Sequence, residues 1–150
     1  MDSSDKNAAA LFSEGFNCAQ SVLTSHARQF DLSPETALRF SAAFGAGMGR
    51  KGEVCGAVTG ALMAIGLAYG PTSAEDKEAK ERTYLLAHRF LDEFARQNGS
   101  IQCRELLGCR IDEPAELERA RQQGLFTTIC PRLVDEASEL LDQLLNENLS

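Results

Sequence analysis

The chain has 150 residues, 43% hydrophobic and 25% charged, the size of one domain and a composition that excludes the disordered, collagenous and disulfide-scaffold classes. A net charge of -7, from 22 Asp and Glu against 15 Lys and Arg, sets up a field that repels polyanions and argues against nucleic acid as a partner. The N-terminal stretch MDSSDKNAAALFSEGF has neither the basic region nor the apolar run of a secretory signal, so the expected location is cytoplasmic. Five cysteines in that compartment point to metal or thiol chemistry rather than a permanent disulfide framework, and an odd count leaves one thiol over.

In chain order the periodicity is helical throughout, with no strict apolar-polar alternation to suggest strands. The expected fold is all-α, a single-domain irregular bundle (residues 1–150) of six to seven helices around a buried apolar central helix. A short helix is predicted from Asp5 to Ser13. A second runs from Cys18 to Phe30 with Asn17 as its cap. Ser33-Pro34 starts a third, to about Phe44, because Ser caps and Pro suits the first helical position. The glycine-rich GAGMGRKG then breaks the pattern as an interhelical connection. From Glu53 to Tyr69 the chain is apolar on all sides. Val54 to Ala74 lacks any charge and nearly has the length of a membrane span, but Gly70-Pro71 ends the apolar part and its glycines fit a bundle core better.

Ser73 with Asp76 resembles a capping box for the longest helix, to about Gln97, whose expected buried stripe is Leu85, Leu86, Phe90, Leu91 and Phe94. Short helices are predicted at Ile101–Leu107 and Pro114–Gln123. The last, Cys130 to about Asn146, should bury Leu133, Val134, Ala137, Leu140, Leu141 and Leu144.

Four cysteines, Cys18, Cys55, Cys103 and Cys130, fall in or just before the first turn of a predicted helix. Unpaired amides and the positive end of the helix dipole favour an anion there, which predicts lowered thiol pKa values and ready thiolates. Arg50, Lys51 and Arg104 add positive charge nearby in sequence, partly opposed by Glu53 and Glu105. Gly56 and Gly60 remove bulk beside Cys55, so that another backbone or a ligand can approach it. Buried cysteine as a small hydrophobe is the competing explanation. Cys109 follows Gly108 at a helix end and reads as packing, although it lies six residues after Cys103.

With no CxxC pair, a dithiol or metal site must be assembled in space. Gly47, Gly49 and Gly52 satisfy GxGxxG but follow a helix rather than a strand, so no nucleotide is expected there. His26 and His88 read as surface or partly buried side chains. The pairs Glu75-Asp76, Asp92-Glu93 and Asp112-Glu113 read as solvated helix faces or starts.

Cys18 in GFNCAQSVL, Cys55 in CGAVTG, Cys103 in GSIQCRELLG and Cys130 in CPRLV together resemble the C_GCAxxG_C_C family of redox-active proteins. The resemblance covers almost the whole chain, and Cys55 to Gly60 match its CGAxxG element. It implies a helical protein whose four characteristic cysteines carry redox chemistry, with Cys109 outside the pattern. Related domains accompany haem modules in split-Soret-type cytochromes, where iron-sulfur binding is the associated idea; this chain has no CxxCH for c-type haem.

Three functions follow as expectations. The first is thiol-based redox or electron transfer by Cys18, Cys55, Cys103 and Cys130. The second is a metal site of the same four cysteines holding an iron-sulfur cluster or zinc, and the third a non-catalytic helical adaptor. The partner expected is a redox protein or a small thiol or disulfide, without membrane insertion and with a homodimer as the assembly to test.

Overall fold

A computed structural model of the chain describes residues 6–147, and among them the fold is helical with no strand. Asp5, the expected start of the first helix, lies outside the described residues. The helix α1 is Ala8–Ser13, with Asn7 accepting from the Ala10 amide at 2.8 Å. The helix α2, Cys18–Ala27, continues as a tighter turn over Arg28–Phe30. Its start is a full capping box: the Asn17 side-chain Oδ1 accepts from the Gln20 backbone N-H, and the Gln20 side chain accepts from the Asn17 backbone N-H. The same two side chains donate to the carbonyls of Ala42 and Leu38, which fixes the start of α2 against α3, Pro34–Ser41, and the turn Ala42–Phe44 behind it.

The central helix α5, Gly56–Tyr69, packs against α2, against α6 (Lys77–Asn98) and against α10 (Cys130–Glu147). It is too short to cross a membrane, and no helix among the described residues is long and apolar enough to do so. The α2 contact is close because Gly60 has no side chain: a Cβ there would stand 2.7 Å from the Ala19 carbonyl oxygen. A large residue such as Leu at Gly60 should therefore cost about 1–3 kcal/mol through overpacking. Urea unfolding would register this as a lowered midpoint, and an unaltered midpoint would show that the contact yields freely.

Three local expectations are corrected. Asp76, not Ser73, caps α6 through the Ala79 amide, while the Ser73 hydroxyl turns to Glu75. Leu85 is 60% exposed, because Leu86, Phe90 and Phe94 form the row that faces the core and Leu85 lies about 100° around the helix from Leu86. His26 is buried rather than at the surface, its ring nitrogens 2.9 Å from the Val22 carbonyl and 2.8 Å from Asp142, so it ties α2 to α10. His88 is exposed. All six residues expected beneath the last helix are buried. Between α7 (Cys103–Leu107), α8 (Pro114–Gln122) and α10 lies a short helix the periodicity did not announce, α9, Leu125–Thr128.

The glycine-rich segment, expected as a simple connection, is an ordered turn of the opposite hand. Within α4, Gly45–Met48, and its continuation, Ala46, Gly47, Met48, Gly49 and Arg50 all have φ between 54° and 69°. The run is closed by amide-to-carbonyl bonds from Gly49 to Gly45 (3.1 Å) and from Glu53 to Gly47 (2.9 Å). Left-handed backbone costs about 1–2 kcal/mol at each non-glycine residue. Glycine is needed at 47 for space as well, since a Cβ there would sit 2.5 Å from the Glu53 nitrogen. Beyond the turn, the extended chain pairs antiparallel with 101–104: Cys55 N-H donates to Ile101 O (2.8 Å), Cys103 N-H to Glu53 O (2.6 Å) and Arg104 N-H to Gly52 O (3.0 Å).

Candidate functional site

That short pairing sets the starts of α5 and α7 side by side, and with them Cys55 and Cys103. Cys55 is the N-cap of α5, Cys103 the first residue of α7, Cys18 the first residue of α2 and Cys130 the first of α10. All four line one cavity of about 250 Å³. Each is 4–8% exposed, so the sulfurs form part of its wall and a reactant must enter to meet them. The rest of the wall is chiefly apolar, with Phe12 of α1 and Phe16 of the connection after it, Leu106 of α7, Ile111 of the turn before α8 and Phe126 of α9. All five cysteines are free thiols, and Cys109 is not part of the wall.

The thiols do not behave alike. Cys130 and Cys55 both favour the protonated Cys18 thiol, and with its burial and the neighbouring sulfurs' charge they hold its pKa well above the ordinary 9.0. Cys55 moves the other way: the Cys18 thiol favours its thiolate, and the Ala57 and Val58 amides at the start of α5 add to this against the cost of burial. Those amides lie at the weak edge of bonding, since no regular side-chain cap closes on the sulfur. Cys130 is also lowered by the Cys18 thiol, against burial. Cys103 is pushed up to about 12 by burial, with the charges of Cys55, Cys130 and Cys109 adding to it. Cys109 is raised by burial and by Glu116, with Arg119 opposing.

The expectation that a helix start lowers every thiol pKa thus fails at Cys18 and Cys103. A helix-end field is weak beside burial and a row of sulfurs that must share protons. The nearby cations also redistribute. Arg104 turns to Glu53 at 3.6 Å, whereas Arg50 lines the cavity, carried there by the left-handed turn, and Arg121 of α8 lines it too. Arg121 carried no sequence signal; it lies far from every cysteine in the chain except Cys130, nine residues on.

Among the described residues no three His, Cys, Asp or Glu side chains are disposed, as they stand, to hold a metal ion.

Residues 16–144 match the family model described as "Putative redox-active protein (C_GCAxxG_C_C)". The chain belongs to this family. The match spans all four wall cysteines, so a general redox role comes with membership. No curated protein and no solved structure matches the chain.

Proposed function

We propose that the protein is a thiol-disulfide redox protein in which Cys55 is the attacking thiolate and Cys18 the resolving thiol, with Cys130 as a second thiol within reach of Cys18. The observation that carries this reading is that Cys18, Cys55 and Cys130 line the wall of one cavity, where both of the others favour the proton on Cys18. Cys55 has the lowered pKa and the helix-start amides that a nucleophilic thiolate needs. Cys18 keeps its proton while Cys55 reacts and becomes a nucleophile only when the reaction has consumed that thiolate.

The step balances as thiol exchange. The Cys55 thiolate attacks one sulfur of a disulfide RSSR′, forming a Cys55–SR bond and releasing R′S⁻. Cys18 then loses its proton and attacks the Cys55 sulfur, closing a Cys18–Cys55 disulfide and releasing RS⁻. The Cys18 proton and one from solvent end on the two released thiolates. The protein is oxidised by two electrons, the substrate is reduced to two thiols, and the reverse sequence oxidises a dithiol partner.

The test is to count and map thiols on protein purified without oxygen, before and after titration with a small disulfide, with metal and sulfide analysis on the same sample. One disulfide within the set Cys18, Cys55 and Cys130, with Cys109 still free, is the expected outcome. A disulfide between Cys103 and Cys109, or none, would sink the assignment, and stoichiometric iron with sulfide, or zinc, would replace it with a metal-thiolate role.

A further inference from the structure

Apart from its sulfurs, the cavity combines two features that thiol exchange alone does not call for. Its wall is largely aromatic and aliphatic, and the charged side chains that line it, Arg50 and Arg121, are both cationic in a chain of net charge -7. No guanidinium is among the groups that shift the Cys18, Cys55, Cys103 or Cys130 thiols. Arg50 and Arg121 therefore have no part in the shifts of those four thiols. Neither is held strongly elsewhere: Arg50 has no ion-pair partner among the described residues, and Arg121 meets Glu118 only at 3.7 Å, both side chains being more than half exposed, a contact worth little.

Placing Arg50 there is also costly. It is the last of five consecutive left-handed residues, and sustained backbone strain of this kind is kept where the surrounding structure uses it. Arg50 arrives from the turn before α5 and Arg121 from α8, so two unrelated segments bring positive charge to one cavity. Two exposed guanidiniums offer bidentate donors to a carboxylate or similar oxyanion, and the local field reverses the repulsion the rest of the surface exerts on anions.

We infer that the cavity takes a low-mass disulfide, or its thiol, built from a small apolar body bearing a carboxylate or sulfonate, with Arg50 and Arg121 holding the acidic group while the body lies against Phe12, Phe16 and Phe126. This rests on the thiol-exchange reading for its chemistry, though not for the binding. At about 250 Å³ the cavity is below the usual range for drug-sized ligands, so one ring-sized half of a disulfide enters. The Cys55 thiolate attacks the sulfur of that half, the bond to the other half breaks, and the other half leaves as a thiolate.

Reduced protein would be mixed with dithiobis-nitrobenzoate, an aromatic disulfide with a carboxylate on each ring, and with uncharged dithiodipyridine. Arg50→Gln combined with Arg121→Gln should slow the anionic reagent by about tenfold at low salt and leave the neutral one within about twofold, because only an anion loses its ionic contact. Lysine at both positions should restore most of the rate. Equal rates for both reagents, unmoved by the substitutions, would overturn the inference and point to a disulfide presented by a partner protein.

Equilibrium binding of 2-nitrobenzoate, a single-ring carboxylate, to the Cys18→Ser, Cys55→Ser protein, read by calorimetry, separates the two claims. Binding that weakens by about tenfold with the Gln pair upholds the anion site even if no thiol reacts. Binding that ignores the arginines overturns it even if thiol exchange proceeds.

Discussion

Cys18→Ser protein should keep its helicity and lose its disulfide: after oxidant titration every remaining cysteine should still react as a free thiol, and the rate of internal disulfide closure should fall by at least about a hundredfold, since the effective concentration of a fixed neighbouring thiol is lost. Cys55→Ser removes the attacking sulfur, so any disulfide that still forms should join Cys18 to Cys130 and close more slowly. Cys18→Ala tests the electrostatics separately. The Cys18 thiol is the first cause of the lowered pKa at both Cys55 and Cys130, so its removal should raise both and slow their alkylation at neutral pH, where less thiolate remains. Serine keeps a donor and should preserve more of that reactivity. Unchanged thiol counts in both serine variants would remove these residues from the site.

The second large effect is on stability at alkaline pH. Cys103 holds its proton to about 12 in the folded chain against 9.0 as an ordinary thiol. Below 9 both states keep the proton and the group is neutral in the balance. As pH rises from 9 toward 12 only the unfolded chain releases it, so stability falls by about 1.4 kcal/mol per pH unit, up to about 4 kcal/mol across the window. Cys18, also raised, acts in the same direction. Cys55 and Cys130, being lowered, have the opposite sign: their contribution is present above the ordinary thiol pKa and is lost as pH falls through their own values. Urea midpoints in reductant on either side of pH 9 should show a steep alkaline loss in the natural chain and a flatter one in Cys103→Ala. Equal slopes in the two would mean that Cys103 is not the group responsible.

Much of the helix plan was legible because helix starts are local. Asn17, Ser33 with Pro34, Gly70 and Gly99 act within a few residues of themselves, so most helix ends, and with them the place of Cys18 just after Asn17, could be read from sequence alone. The misses were also local in cause. Ser73 and Asp76 are both capping residues three apart, and only the position of the Ala79 amide decides between them; Leu85 sits next to the buried row, about 100° around the helix from Leu86. Gly60 was visibly small, but only the approach of the Ala19 carbonyl made that smallness necessary.

By itself, the sequence determined that this is a helical chain with four thiols at helix ends, because capping and amphipathic period act over one or two turns. The tertiary structure alone decided that Cys18 stands between Cys55 and Cys130, that Cys103 is raised rather than lowered, and that Arg50 and Arg121 share a cavity. Those outcomes depend on burial and on charges brought together by residues tens of positions apart. A left-handed turn at Ala46–Arg50, an isolated pairing of Val54 with Gln102 and the packing of α5 on α2 bring them together, and the glycines that permit the turn and the packing do not by themselves say which distant segments will meet.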